Sequence, residues 1–129
     1  MLGRDQILGA KDLVVEEIEV PEWGGTVFVR ALSGSELDEF EGENFEVTNG
    51  QVVMNKRNVR ARLLSRAICN DKGETLFTKK DVDALGKKSG RAINRVVAVA
   101  ERLNGIDKQA LGRATKNSER GLVEDSISD

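Results

Sequence analysis

Apolar positions crowd the chain in changing rhythms, and the rhythm predicts the elements. Residues 13–20, LVVEEIEV, and 26–32, TVFVRAL, are rich in β-branched and apolar side chains, with Pro21, Glu22, Trp23, Gly24 and Gly25 between them. A turn-forming cluster between two such runs predicts a β-hairpin spanning 12–32. In the second run Val27 and Val29 alternate with Phe28 and Arg30, so no one-sided pattern emerges and the ribbon is expected to be covered on both faces. Trp23 is then either a plug over the turn or an exposed anchor for a partner.

Helical spacing takes over from residue 35. Ser33 and Ser35 can cap free backbone amides, and Glu36, Asp38 and Glu39 suit the positive end of a helix dipole, which predicts a short acidic helix over 35–45. Leu37, Phe40 and, beyond Gly42, Phe45 are expected to anchor it, and Thr48-Asn49-Gly50 to break the chain. Over 55–70, Val59, Leu63, Leu64, Ala67 and Ile68 recur at intervals of three and four, with Lys56, Arg57, Arg60, Arg62 and Arg66 elsewhere on the cylinder, the pattern of a basic amphipathic helix. Thr78 followed by Asp81 resembles a capping box and opens another helix that ends near Gly86. Ser89 caps a last long helix that carries Ile93, Val96, Val97, Ala100 and Leu103 on one face and stops at Gly105.

The expected architecture is therefore α+β, with an N-terminal β-hairpin packed on a mainly α-helical bundle. The division is a flexible N-terminus over 1–11, one globular domain over 12–105 with helices spanning 35–104, and a polar, partly disordered tail over 106–129. Val59, Leu63, Ile68, Val96 and Leu103 are the expected core. A length of 129 residues, a third of them charged, suits one soluble domain.

Composition narrows the chemistry. The chain has no His, no Tyr and one Cys, which removes the commonest general base and metal ligand and argues against an enzyme. Cys69, in an apolar stretch read as helical, is expected to be a buried, reduced thiol. No signal-peptide pattern and no bilayer-length apolar run is visible, so a cytosolic protein is expected. Gly86-Lys87-Lys88-Ser89-Gly90 has Asp81 where a phosphate loop requires glycine and Lys88 where it requires Ser or Thr, and reads as an inter-helix turn. Residues 70–81, NDKGETLFTKKD, place Lys72 and Thr75 where a calcium loop needs a ligand and a glycine. Neither a metal nor another cofactor is expected. The carboxylates at 16, 17, 19 and 22 and again at 36, 38, 39, 41 and 43 read as a solvated face rather than catalytic pairs.

Charge is divided unevenly. Residues 1–50 hold three basic and twelve acidic side chains, −9, whereas 51–129 hold seventeen and ten, +7. The two halves either attract each other within one fold or dock between copies. The basic helix could track phosphates, yet the sequence pI is about 5.3 and no stacking aromatics interleave its arginines, so it reads rather as an exposed basic stripe answering the acidic half.

Several stretches together resemble the tail assembly chaperones of long-tailed (siphovirus) bacteriophages. They are the run 49–64, NGQVVMNKRNVRARLL; Asp71-Lys72-Gly73-Glu74 before Leu76-Phe77-Thr78; Asp81-Val82; Leu85-Gly86; Leu103-Asn104-Gly105; and Pro21-Glu22-Trp23-Gly24-Gly25 ahead of Val27-Phe28-Val29-Arg30. The resemblance covers about residues 12–120. It implies a non-enzymatic helper, made in the host cell cytoplasm and absent from the mature virion, that binds the tape measure protein and keeps it soluble while the tail tube polymerises. It also implies contact with the tail tube protein through a longer, frameshifted form. Trp23, Phe28, Arg57 and Arg60 are the expected partner-binding residues, an amphipathic helical surface the expected client face, and self-association the expected use of the divided charge. A membrane is not among the expected partners. The alternatives are a nucleic-acid-binding regulator using the basic helix 55–70 and a structural tail component.

Overall fold

The computed structural model describes residues 1–106; the expected tail, apart from Ile106, lies outside the described residues. Its first ordered pair is β1 (Val15–Val20) and β2 (Gly25–Arg30), joined by a 3-10 turn over Pro21–Trp23. Pro21 opens that turn and Gly24 closes it at φ 74, a left-handed backbone that L side chains resist. The strands pair antiparallel from Val15 opposite Arg30 to Val20 opposite Gly25. A third strand, β5 (Ile68–Cys69), adds antiparallel to β2, giving the order β1-β2-β5.

Helix α5 (Gly90–Asn104) lies across one face of this sheet. Its ends follow the sequence signals: the Ser89 side chain accepts from the Ala92 amide, and Gly105 terminates it at φ 63. Ile93, Val96, Val97 and Ala100 are buried and Leu103 packs at their margin. They meet Val20 and Val29 of the sheet and Leu63 and Leu64 of α3 (Val59–Ala67) in one core, to which Ile68 also belongs. Asn104 fastens the assembly by accepting from the Leu32 amide at 2.6 Å and donating to the Ala100 carbonyl. The opposite sheet face keeps Phe28 and Arg30 only half-buried and Glu17 and Glu19 exposed, so its covering is partial.

Helix α2 (Gly34–Glu43) is closed by a capping box in which Ser33 accepts from the Glu36 amide and Glu36 accepts from the Ser33 amide. Thr78 and Asp81 cap in the same reciprocal way, and a 3-10 turn, Lys79–Asp81, leads into α4 (Val82–Gly86). Residues 1–11 contain a short helix, α1 (Arg4–Leu8), with no buried side chain.

Three expectations change. The chain break at Thr48-Asn49-Gly50 is the tip of a second hairpin, β3 (Phe45–Thr48) with β4 (Gln51–Met54), because Asn49 and Gly50 both take positive φ, 53 and 77, the backbone of a tight two-residue hairpin turn. Phe45 belongs to β3 and is exposed rather than an anchor of the acidic helix. The basic helix occupies only Val59–Ala67: Asn58 at φ 52 cannot continue a right-handed helix, and Ile68 and Cys69 are drawn into the sheet beside β2. Cys69 is thus a buried strand residue, and burial raises its thiol pKa against the opposing charge of Arg30. No helix among the described residues is long and apolar enough to cross a membrane.

Candidate functional site

The arginines at positions 62 and 66 define the geometry. Both stand on α3 one turn apart, and both are 9% exposed, so they are not part of an exposed basic stripe. The reason is a matching pair of carboxylates, Glu39 and Glu43, also one turn apart on α2. Arg66 Nη2 donates to Glu39 and to Glu43, each at 2.7 Å, and its guanidinium lies 5.9 Å from the centre of the buried Phe40 ring. Burial alone would raise the pKa of Glu43, but the Arg66 hydrogen bond and charge, helped by Lys79 and Arg62, hold it below the ordinary glutamate value.

Arg62 secures the second hairpin at its root. Its guanidinium donates to Asn44 Oδ1 at 2.9 Å, to the Asn55 carbonyl at 2.8 Å and to the Arg57 carbonyl at 3.2 Å. Asn44 immediately precedes β3 and Asn55 immediately follows β4, so one side chain grips both strands where they leave the body. The Asn55 amide donates to the Asn44 carbonyl at 2.6 Å, and Asn55 Nδ2 to the Glu43 carbonyl. Burial lowers the Arg62 pKa while Glu43 opposes that shift.

What is held in this way is an uncovered apolar face. The register pairs Phe45 with Met54 and Val47 with Val52, and directly opposed residues share a face. Relative exposure is 55% for Phe45, 71% for both Val47 and Val52, and 37% for Met54. The other face carries Glu46, Val53, Thr48 and Gln51. All eight strand residues are exposed, although an isolated two-stranded ribbon is marginal in water. The first fifteen residues are also exposed, with Leu2, Ile7, Leu8, Leu13 and Val14 among them, but they include only one short helix.

The four side chains expected to bind a partner are spread over other elements. Trp23 sits half-buried in the turn between β1 and β2, packed against the core, with its indole N–H buried and without a hydrogen-bond acceptor among the described residues. Phe28 is half-buried on β2, opposite Glu17 and Cys69. Arg57 is exposed just before α3, and Arg60 donates to Asn94 of α5 at 2.7 Å. The expected helical client surface is not available on α3 or α5, because their apolar faces form the core. Sequence reasoning passed over Val47, Val52 and Met54. Asn49-Gly50 flanked by alternating apolar residues was the signal that marks them.

The divided charge is partly consumed within the fold. Arg95 pairs with Glu22, Arg102 with Glu16 at 2.5 Å, and Arg62, Arg66 and Lys79 with the acids of α2. Gly86 to Gly90 forms the turn between α4 and α5, and Asn70 closes its own loop by accepting from the Lys72 and Glu74 amides.

Comparison with known proteins adds an independent line. The sequence pattern of a family described as phage tail assembly chaperone matches residues 10–119. Among solved structures, the tail assembly chaperone of bacteriophage HK97 is similar with a TM-score of 0.55 at 19% identity, over 77% of this chain and 90% of that one. At that identity the likeness speaks for the fold. No curated protein sequence matches.

Proposed function

Since the chain belongs to the phage tail assembly chaperone family, we propose that it binds the tape measure protein and keeps that long, apolar chain soluble while the tail tube polymerises around it. The observation that carries this reading is the hairpin face of Phe45, Val47, Val52 and Met54, held out from the body by Arg62 and left exposed by every other element among the described residues. Contiguous exposed apolar surface costs solubility, and a protein that keeps it on a pinned element has a use for it. The client is read as an amphipathic helix laying its apolar side on this ribbon. No bond is made or broken, and the action is non-enzymatic.

On this account the protein acts in the host cell cytoplasm and is missing from purified virions, which separates it from a structural tail component. A longer, frameshifted form would carry the contact with the tail tube protein, and copies would associate along the client. Co-expression with the tape measure protein of the same phage tests the reading. A soluble client that co-purifies with this chain is the expected result, and an insoluble client beside a soluble chaperone would overturn it.

A further inference from the structure

Ion pairing distributes the basic residues in an uneven way. Arg30, Arg62, Arg66, Lys79, Arg95 and Arg102 each meet a carboxylate. Arg57, Arg60, Lys87, Lys88 and Arg91 form no ion pair among the described residues, and neither do Lys11, Lys56, Lys72 and Lys80, but the first five gather at one end of the molecule, where Arg91 also acts on the charge of Glu22. Asn58 brings the segments together: it donates to Asp83 at 3.0 Å, and its Oδ1 lies 2.7 Å from where a Cβ on Gly86 would stand. The segments that carry Arg57 and Lys87-Lys88 therefore meet at this junction. Arg60 reaches Asn94, one turn along α5 from Arg91, so the same end takes in all five cations. Four of the five are exposed, Arg60 is half-buried, and Asp83 is the acid tied into the junction.

We propose that this end of the molecule binds the phosphate backbone of nucleic acid, independently of the apolar hairpin. The choice of nucleic acid over an acidic protein follows from what the patch lacks. Protein interfaces are centred on buried aromatic or aliphatic anchors, whereas backbone phosphate contacts need only arginine, lysine and polar groups. No large apolar side chain is exposed between residues 55 and 75, or between 77 and 106. Segments 57–60 and 87–91 contain no aromatic residue to stack on a base, so the contact is with phosphate and tolerant of sequence. The patch differs from the sequence-level basic helix: Arg62 and Arg66 are withdrawn into ion pairs, and Lys87, Lys88 and Arg91 replace them.

The test is fluorescence anisotropy of a labelled single-stranded RNA and a labelled DNA duplex titrated with the full chain at several salt concentrations. Neutralising about five phosphates on a single strand gives a log–log salt slope near −3.5, roughly a hundredfold loss of affinity between 50 and 200 mM. The triple variant Lys87→Gln, Lys88→Gln, Arg91→Gln should bind about tenfold or more weakly, while Lys72→Gln with Lys80→Gln, equally exposed elsewhere, should stay within about twofold. Circular dichroism melting of each variant separates lost binding from lost fold. No saturable binding by the wild-type chain overturns the proposal, as does an equal loss in the two variants. Displacement of either probe by poly-glutamate at equal charge concentration would assign the patch to an acidic protein instead.

Discussion

The molecule contains two antiparallel hairpins built by the same local rules and put to opposite uses. Each turns on a glycine in the left-handed region, Gly24 in one and Gly50 in the other, and each pairs its strands without a bulge. The β1–β2 hairpin gains a third strand and a helix over one face, and Val20 and Val29 are fully buried there. Among the described residues the β3–β4 hairpin gains neither, and its order rests on a polar root at Arg62, Asn44 and Asn55. Hairpin-forming sequence therefore says little about burial. What separates a structural ribbon from one available to a partner is whether another element reaches its face.

The largest effect is expected in the covered hairpin. Val29→Asp puts a carboxylate at a fully buried site with no cation placed to meet it, costing about 4 kcal/mol or more, a large part of a domain's stability, and urea unfolding should show it. Arg62→Ala comes next. It leaves the Asn44 side chain and the Asn55 carbonyl without their donor in a part-buried site, with an expected loss of about 2–4 kcal/mol. Amide exchange should rise in residues 45–54 more than in β1 and β2.

Acid should loosen the anchoring of both hairpins. Glu43 is held below the ordinary glutamate value of 4.5, with desolvation opposing and Arg66 prevailing, and Glu36 is held below it mainly by its hydrogen bond from Arg30. A depressed carboxylate contributes stability above its unfolded pKa and loses it as pH falls through the folded value. Stability should therefore be steady from neutral pH to about 4.5 and decline below it, as acid unfolding followed by circular dichroism should show. Lowest in energetic effect is Val47→Glu with Val52→Lys. These exposed, cross-strand positions accept an opposite-charge pair, so stability should move by less than about 0.5 kcal/mol. Client solubilisation in co-expression should be lost all the same.

Much of the covered half was legible because one-dimensional signals agree with its burial. Ser89 and Gly105 bound α5, Ser33 and Thr78 open their helices, and the apolar stripe of α5 faces the core. The uncovered half was less legible because periodicity reports alternation without saying whether anything covers it. Asn49-Gly50 therefore read as a break and Phe45 as an anchor. Arg62 and Arg66 illustrate a second limit. Charged residues are ordinarily exposed, and only the meeting of two helices brings carboxylates onto these two. The trace of it in sequence is the equal four-residue spacing of Glu39 with Glu43 and of Arg62 with Arg66. Asn58 shortened α3 through a backbone angle that composition does not announce.

The uncovered ribbon is proposed as the client surface. Hydrogen–deuterium exchange of the purified chain, alone and in complex with the tape measure protein, tests it most directly. New protection should concentrate in residues 45–54, with β1, β2 and α5 little changed. Protection centred on Trp23, Phe28, Arg57 and Arg60, with 45–54 exchanging as fast as in the free chain, would contradict it.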